Sequence, residues 1–134
     1  MNNEIYLKAK GIVKKDGKYL VIKRWVDDLI PDPYIWEFVD GEISHGESPD
    51  DGVCRLIQET LGVEGKIEKI IYTWSLMLGD IQCVGIAYLC TIEADDSSFV
   101  LPEDYCEWKW IDRDDFSSYI ENRFVLRDLE GVEL

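Results

Sequence analysis

Residues 41–63, GEISHGESPDDGVCRLIQETLGV, constrain the architecture more than any other stretch of this chain. Ser48 is a helix N-cap type, because its hydroxyl can accept from an N–H that the first turn leaves unpaired. Pro49 follows at the first helical position, where its missing N–H costs nothing. Asp50 and Asp51 oppose the positive end of the helix dipole. Gly62 can take the left-handed conformation that stops a helix. Together they predict a helix from 48 to about 61. Val53, Leu56, Ile57 and Leu61 recur at helical spacing and give it one apolar stripe.

On either side the apolar period shortens to that of strands. Residues 4–13 alternate loosely, Asp16-Gly17 is a hairpin signal, and residues 19–23 form the returning strand. Residues 25–35 hold two prolines and three aspartates and read as a loop. Residues 36–39 form a short strand that ends at Asp40-Gly41. Strands at 66–77 and 81–93 flank a turn at 78–80, and 107–111 is another strand. A second helix opens near Asp114-Asp115, with Phe116, Tyr119 and Ile120 as its apolar face. A further helical turn covers 123–129. The order strands, helix, strands, helix predicts an α+β fold, an α/β/α sandwich around a mixed sheet.

A length of 134 residues fits one domain, 1–134. Apolar residues make up 46% of the chain, enough for a core without staples. The net charge is −14, from 14 basic and 28 acidic residues. Binding a nucleic-acid backbone requires Lys and Arg to displace counterions, so this balance argues against a nucleic-acid partner. No apolar run approaches a membrane span, which argues against a membrane partner. The first residues, MNNEIYLKAKG, lack the apolar segment of a secretory signal, and the expected compartment is the cytoplasm. Cys54, Cys83, Cys90 and Cys106 form no C-x-x-C pair, and His45 is the lone histidine. They read as reduced and mostly buried cysteines, with His45 as a solvated loop residue. Oligomeric state is open, a homodimer included.

The chemistry sits on the predicted helix. Arg55 and Glu59 are four residues apart and can touch on one face. Positions 56, 59 and 60 also share a face, where three carboxylates would hold a hard divalent cation. Glu59 is the one acid among them, because Leu56 and Thr60 fill the other two positions.

This segment resembles the signature of the Nudix hydrolases, G-x5-E-x7-R-E-U-x-E-E-x-G-U, with U a bulky aliphatic. Gly41, Glu47, Arg55, Ile57, Glu59, Gly62 and Val63 match seven of its nine fixed positions. The lead-in WEFVDGEI is similar to the family's tryptophan, glutamate and Pro-Gly-Gly turn, with Val39 and Asp40 in place of the proline and first glycine. The specific part of the resemblance spans about 28 residues, 36–63.

The resemblance implies a Nudix fold and a pyrophosphohydrolase acting on a nucleoside diphosphate derivative, a small-molecule substrate. It implies Mg²⁺ or Mn²⁺ as cofactor. Glu59, Glu47 and Arg55 become the catalytic candidates, with Glu59 and Glu47 as metal ligands. Glu103 and Asp104 lie where some members of the family supply a further ligand or base. Gly41 and Gly62 take backbone roles. Of the aromatics that could stack a base, Trp25 and Tyr34 are the candidate substrate contacts. Trp36, Trp74, Trp108 and Trp110 read as core or loop anchors. Leu56 and Thr60 leave two readings: a divergent hydrolase, or a catalytically impaired domain that binds a nucleotide, metabolite or protein without cleaving it.

Overall fold

A computed structural model describes residues 4–25 and 35–134. β1 (Glu4–Lys15) turns at Asp16-Gly17 into β2 (Lys18–Arg24). Both turn residues have positive φ, 53° and 76°, as a two-residue type I′ hairpin requires. Next come β3 (Trp36–Glu37), β4 (Val39–Glu42) and α1 (Pro49–Leu61). β5 (Gly65–Leu78) and β6 (Ile81–Ile92) form a long hairpin. β7 (Tyr105–Ile111), α2 (Phe116–Tyr119) and α3 (Arg123–Leu129) complete the order.

The strands make one seven-stranded mixed sheet with β1 as its axis. β1 runs parallel to β6 from Glu4 to Lys14. Its other edge takes β4, antiparallel, from Lys8 to Gly11. β5 pairs with β6, while β7 and β3 flank β2.

Side chains alternate across a strand, so each face has its own core. Ala9 and Val13 of β1 pack with Val53, Ile57 and Leu61 of α1. Ile12 packs on the other face with Phe38, Phe116, Ile120 and Leu129. The expected α/β/α sandwich is therefore present, with α1 on one face and the C-terminal helices on the other. The caps of α1 are those the sequence implies. Ser48 accepts from the Asp51 N–H, and Gly62 adopts φ 73° with its N–H bonded to the Gln58 carbonyl. Tyr88 Oη donates to Asp50 Oδ1 at 2.7 Å and ties the helix start to β6.

Four local expectations change. Asp40 and Gly41 do not end a strand but lie inside β4, because pairing with Lys10 and Ala9 of β1 carries the strand through them. The second helix is two short pieces, a 3₁₀ turn at Arg113–Asp115 and then α2. A 3₁₀ turn at Asp96–Ser98 was not foreseen; Asp95 caps it by accepting from the Ser97 N–H. All four cysteines are free: Cys83 and Cys90 are buried and Cys54 is half-buried, but Cys106 is exposed on β7. No helix among the described residues is long and apolar enough to cross a membrane.

Candidate functional site

Arg55 is the centre of the loop–helix segment. Its Nε donates to Glu47 Oε2 at 2.8 Å, and Nη2 donates to Glu47 Oε1 at 3.0 Å. Nη2 also reaches the Glu42 carbonyl at 2.8 Å, and Nη1 reaches Glu59 Oε2 at 3.0 Å. The Ser44 N–H donates to Glu47 Oε1 at 2.9 Å. The planar guanidinium thus fixes the 42–47 loop against α1 with a bidentate grip on Glu47. That grip, followed by the Ser44 N–H, holds the Glu47 carboxyl below the usual carboxylate range. The same bond to Glu47, with lesser help from Glu59, pushes Arg55 further up.

The two positions that lack an acid are filled by packing. Leu56 is buried against β4: a Cβ on Gly41 would lie 2.5 Å from Leu56 Cδ2. A side chain at position 41 would have to push the terminal methyls of Leu56 aside. Thr60 is buried as well. Among the described residues, no three His, Cys, Asp or Glu side chains gather where they could hold a metal ion.

Asp40 and Gly41 are neighbours in β4 and therefore face opposite ways. Gly41 looks toward α1. Asp40 lines a cavity of about 380 Å³ on the far face, between the sheet and α3. Lys8, Lys10, Tyr72 and Trp74 also line it, and Trp36 and Phe124 contribute further aromatic surface. The strand register explains the floor. Lys8 pairs with Gly85, which pairs with Trp74. A Cβ on Gly85 would sit 2.1 Å from Trp74 Cζ2, so the indole lies against bare backbone. Lys10 Nζ stands 3.0 Å from Asp40 Oδ2 and 5.3 Å from the Trp74 ring centroid. Arg24 pairs with Glu37 at 3.1 Å, and Tyr105 Oη donates to Glu37 Oε1 at 2.6 Å.

The cavity carries three cations, Lys8, Lys10 and Arg24, against three carboxylates, Glu37, Asp40 and Asp128. It is neutral in a chain of net charge −14. Lys8 makes no ion pair with the described residues. Two buried polar atoms at the cavity have no hydrogen-bond partner among the described residues, Asp40 Oδ1 and Tyr72 Oη. Burial, and then the charges of Asp128 and Asp40, push the Tyr72 phenol up, so it remains an O–H donor at neutral pH.

The candidates chosen from sequence are dispersed. Glu47, Arg55 and Glu59 meet, as ion-pair partners. Glu103 and Asp104 are exposed in the turn before β7, where the Asp104 carbonyl accepts from the Trp25 N–H at 2.9 Å. They do not join Glu47 and Glu59 in a ligand group. Trp25 is 65% exposed and is not among the residues lining the cavity. Tyr34 lies outside the described residues. His45 is exposed in its loop. Trp36 and Trp74, read as anchors, line the cavity instead, whereas Trp108 and Trp110 direct their indole N–H groups at Asp96. Lys8 and Lys10 were missed. Their signal was two lysines two residues apart, on one face of a strand with buried neighbours.

No protein-family model matches the chain. No curated protein matches it either. Solved structures do. A MutT Nudix hydrolase from Burkholderia pseudomallei is 22% identical, with a TM-score of 0.75, covering 97% of this chain and 99% of its own. The MutT protein of Methanosarcina mazei is 16% identical, with a TM-score of 0.77 and coverages of 97% and 94%. A C. elegans Ap4A hydrolase, solved as a binary complex, is 17% identical, with a TM-score of 0.72 and coverages of 94% and 96%. The chain has the Nudix fold.

Proposed function

We propose that this chain is a Nudix-fold binding domain for a nucleotide-type small molecule, and that it does not cleave its ligand through the box helix. The observation that carries this reading is Leu56. Its side chain is packed on Gly41 at the position where the signature has a glutamate. Arg55 meanwhile holds both remaining box acids, Glu47 and Glu59.

The donor set does not fit Mg²⁺ or Mn²⁺ at the box. Both oxygens of Glu47 already accept from Arg55, one Glu59 oxygen does so too, and a cation there would face the guanidinium charge. Hard divalent ions take several oxygen ligands, and Leu56 supplies none. No reaction step is therefore assigned to a metal on α1.

The cavity on the opposite face supports the binding half. Trp74 and Trp36 offer aromatic surface, and stacking a base on an aromatic ring contributes about 1–3 kcal/mol. Lys8 is a cation with no carboxylate partner among the described residues and suits a phosphate. Ap4A, for which one of the similar structures is named, is a ligand of that chemical type.

Calorimetric titration with ADP and GDP, each with and without Mg²⁺, tests the proposal. Saturable binding that Trp74→Ala removes is the expected result, with no phosphate or monophosphate released. Turnover that Glu59→Gln abolishes would instead establish a divergent hydrolase. Absence of binding by either nucleotide would remove the reading altogether.

A further inference from the structure

We propose that Asp40 and Tyr72 select the ligand by reading the edge of a planar heterocycle that presents an N–H donor beside an acceptor. This rests on the nucleotide-binding reading above and adds which edge is read and by what.

Asp40 stands where the resembling turn has a glycine, so its carboxylate is a side chain this chain adds to the cavity. An ionised carboxylate offers about four acceptor positions. Lys10 uses one of them, on Oδ2. Oδ1 has no partner among the described residues, and neither has Tyr72 Oη. Buried polar atoms are nearly always paired, so two atoms without a partner among the described residues, lining one cavity, mark a place where a ligand's polar edge would be satisfied. About a quarter of the Asp40 side chain is exposed, whereas Oδ1 and Tyr72 Oη are themselves buried at the cavity wall, so a ligand edge reaches them only as these side chains turn toward it.

The four side chains form one constellation. Lys10 Nζ bridges Asp40 and the face of Trp74. The Tyr72 and Trp74 rings lie 5.9 Å apart between centroids. A heterocycle that takes the place of the Lys10 ammonium over Trp74 would bring its edge toward Asp40 and Tyr72. The carboxylate can only accept, so it takes the ligand's N–H. The phenol O–H donates to the ligand's acceptor. Lys8, two residues from Lys10 on the same strand face, meets the phosphate.

The test is calorimetric titration of the full chain with AMP, GMP and purine riboside 5′-monophosphate. The last has the same phosphate and ring system but no N–H on its six-membered ring edge. The better of AMP and GMP is expected to bind about tenfold tighter than the purine riboside nucleotide. Asp40→Asn keeps an oxygen for Lys10 but loses the charge, and Tyr72→Phe loses the phenol. Each should shrink that ratio to about threefold or less, with melting curves showing that both variants fold. Equal binding of all three nucleotides by the unaltered chain would overturn the selection, as would a ratio unchanged in both variants, and nucleotide binding itself would survive either result. Failure of all three nucleotides to bind would overturn the binding reading and this inference together.

Discussion

Position 56 decides between packing and chemistry, and a double-mutant cycle with Gly41 measures which it serves. Leu56 is 8% exposed. Its Cδ2 and Cδ1 would lie 2.5 and 3.3 Å from a Cβ added to Gly41. Leu56→Ala removes a buried side chain and leaves a cavity, a loss of about 2–4 kcal/mol. Gly41→Ala forces a methyl into occupied space and costs about 1–3 kcal/mol. Gly41 has no positive φ, so the alanine meets no backbone penalty there. In the double variant the new methyl fills part of the space that the leucine vacates. Its cost should fall short of the sum by about 1–2 kcal/mol. Urea unfolding at constant m-value reads this directly. Additivity within about 0.5 kcal/mol would refute the claim that Leu56 rests on Gly41.

Other consequences are as specific. Leu56→Glu with Thr60→Glu buries two carboxylates and forfeits the leucine's burial, about 2 kcal/mol from that term alone. Melting should fall in EDTA and recover in part with Mg²⁺, since the face of α1 formed by positions 56, 59 and 60 would then carry three acids; a melt indifferent to Mg²⁺ counts against this reading of the box. Gly85→Ala places a Cβ 2.1 Å from Trp74, so the indole must leave the cavity floor. Nucleotide affinity should drop about tenfold or more and Trp fluorescence should change; unaltered affinity would mean Trp74 is no part of the site. The Glu47 carboxyl is depressed by Arg55 and then by the Ser44 N–H. Its stabilising contribution is therefore full above the unfolded value, about 4.3, and is lost as pH falls through the lower folded value. Urea midpoints between pH 3 and 7 should show the native chain's advantage over Glu47→Gln constant above about pH 4.3 and shrinking only below it; an advantage that grows as pH falls would contradict the sign.

The helix of the box was legible because its signals are local. Ser48, Pro49 and Gly62 cap a single turn each, and all three behave as their chemistry implies. The Asp16-Gly17 hairpin was legible for the same reason. Arg55 contacting Glu59 follows from helical spacing, and Arg55 gripping Glu47 from the loop that precedes the helix. What failed was whatever depends on strand register. Asp40 and Gly41 read as a strand end because nothing nearby in sequence shows that β1 pairs with them. The cavity joins Lys8, Asp40, Tyr72 and Trp74 through β4 and β6, and no local pattern carries that information. Trp74 looked like an anchor because its role depends on Gly85, eleven positions later and across the hairpin.

Phosphorus NMR of a nucleoside diphosphate incubated with the protein and Mg²⁺ observes binding and cleavage in one experiment. Binding without cleavage requires that the phosphate resonances broaden or shift, that Lys8→Gln relieve this, and that no monophosphate signal grow. Monophosphate accumulating with time, and lost in Glu59→Gln, would contradict it.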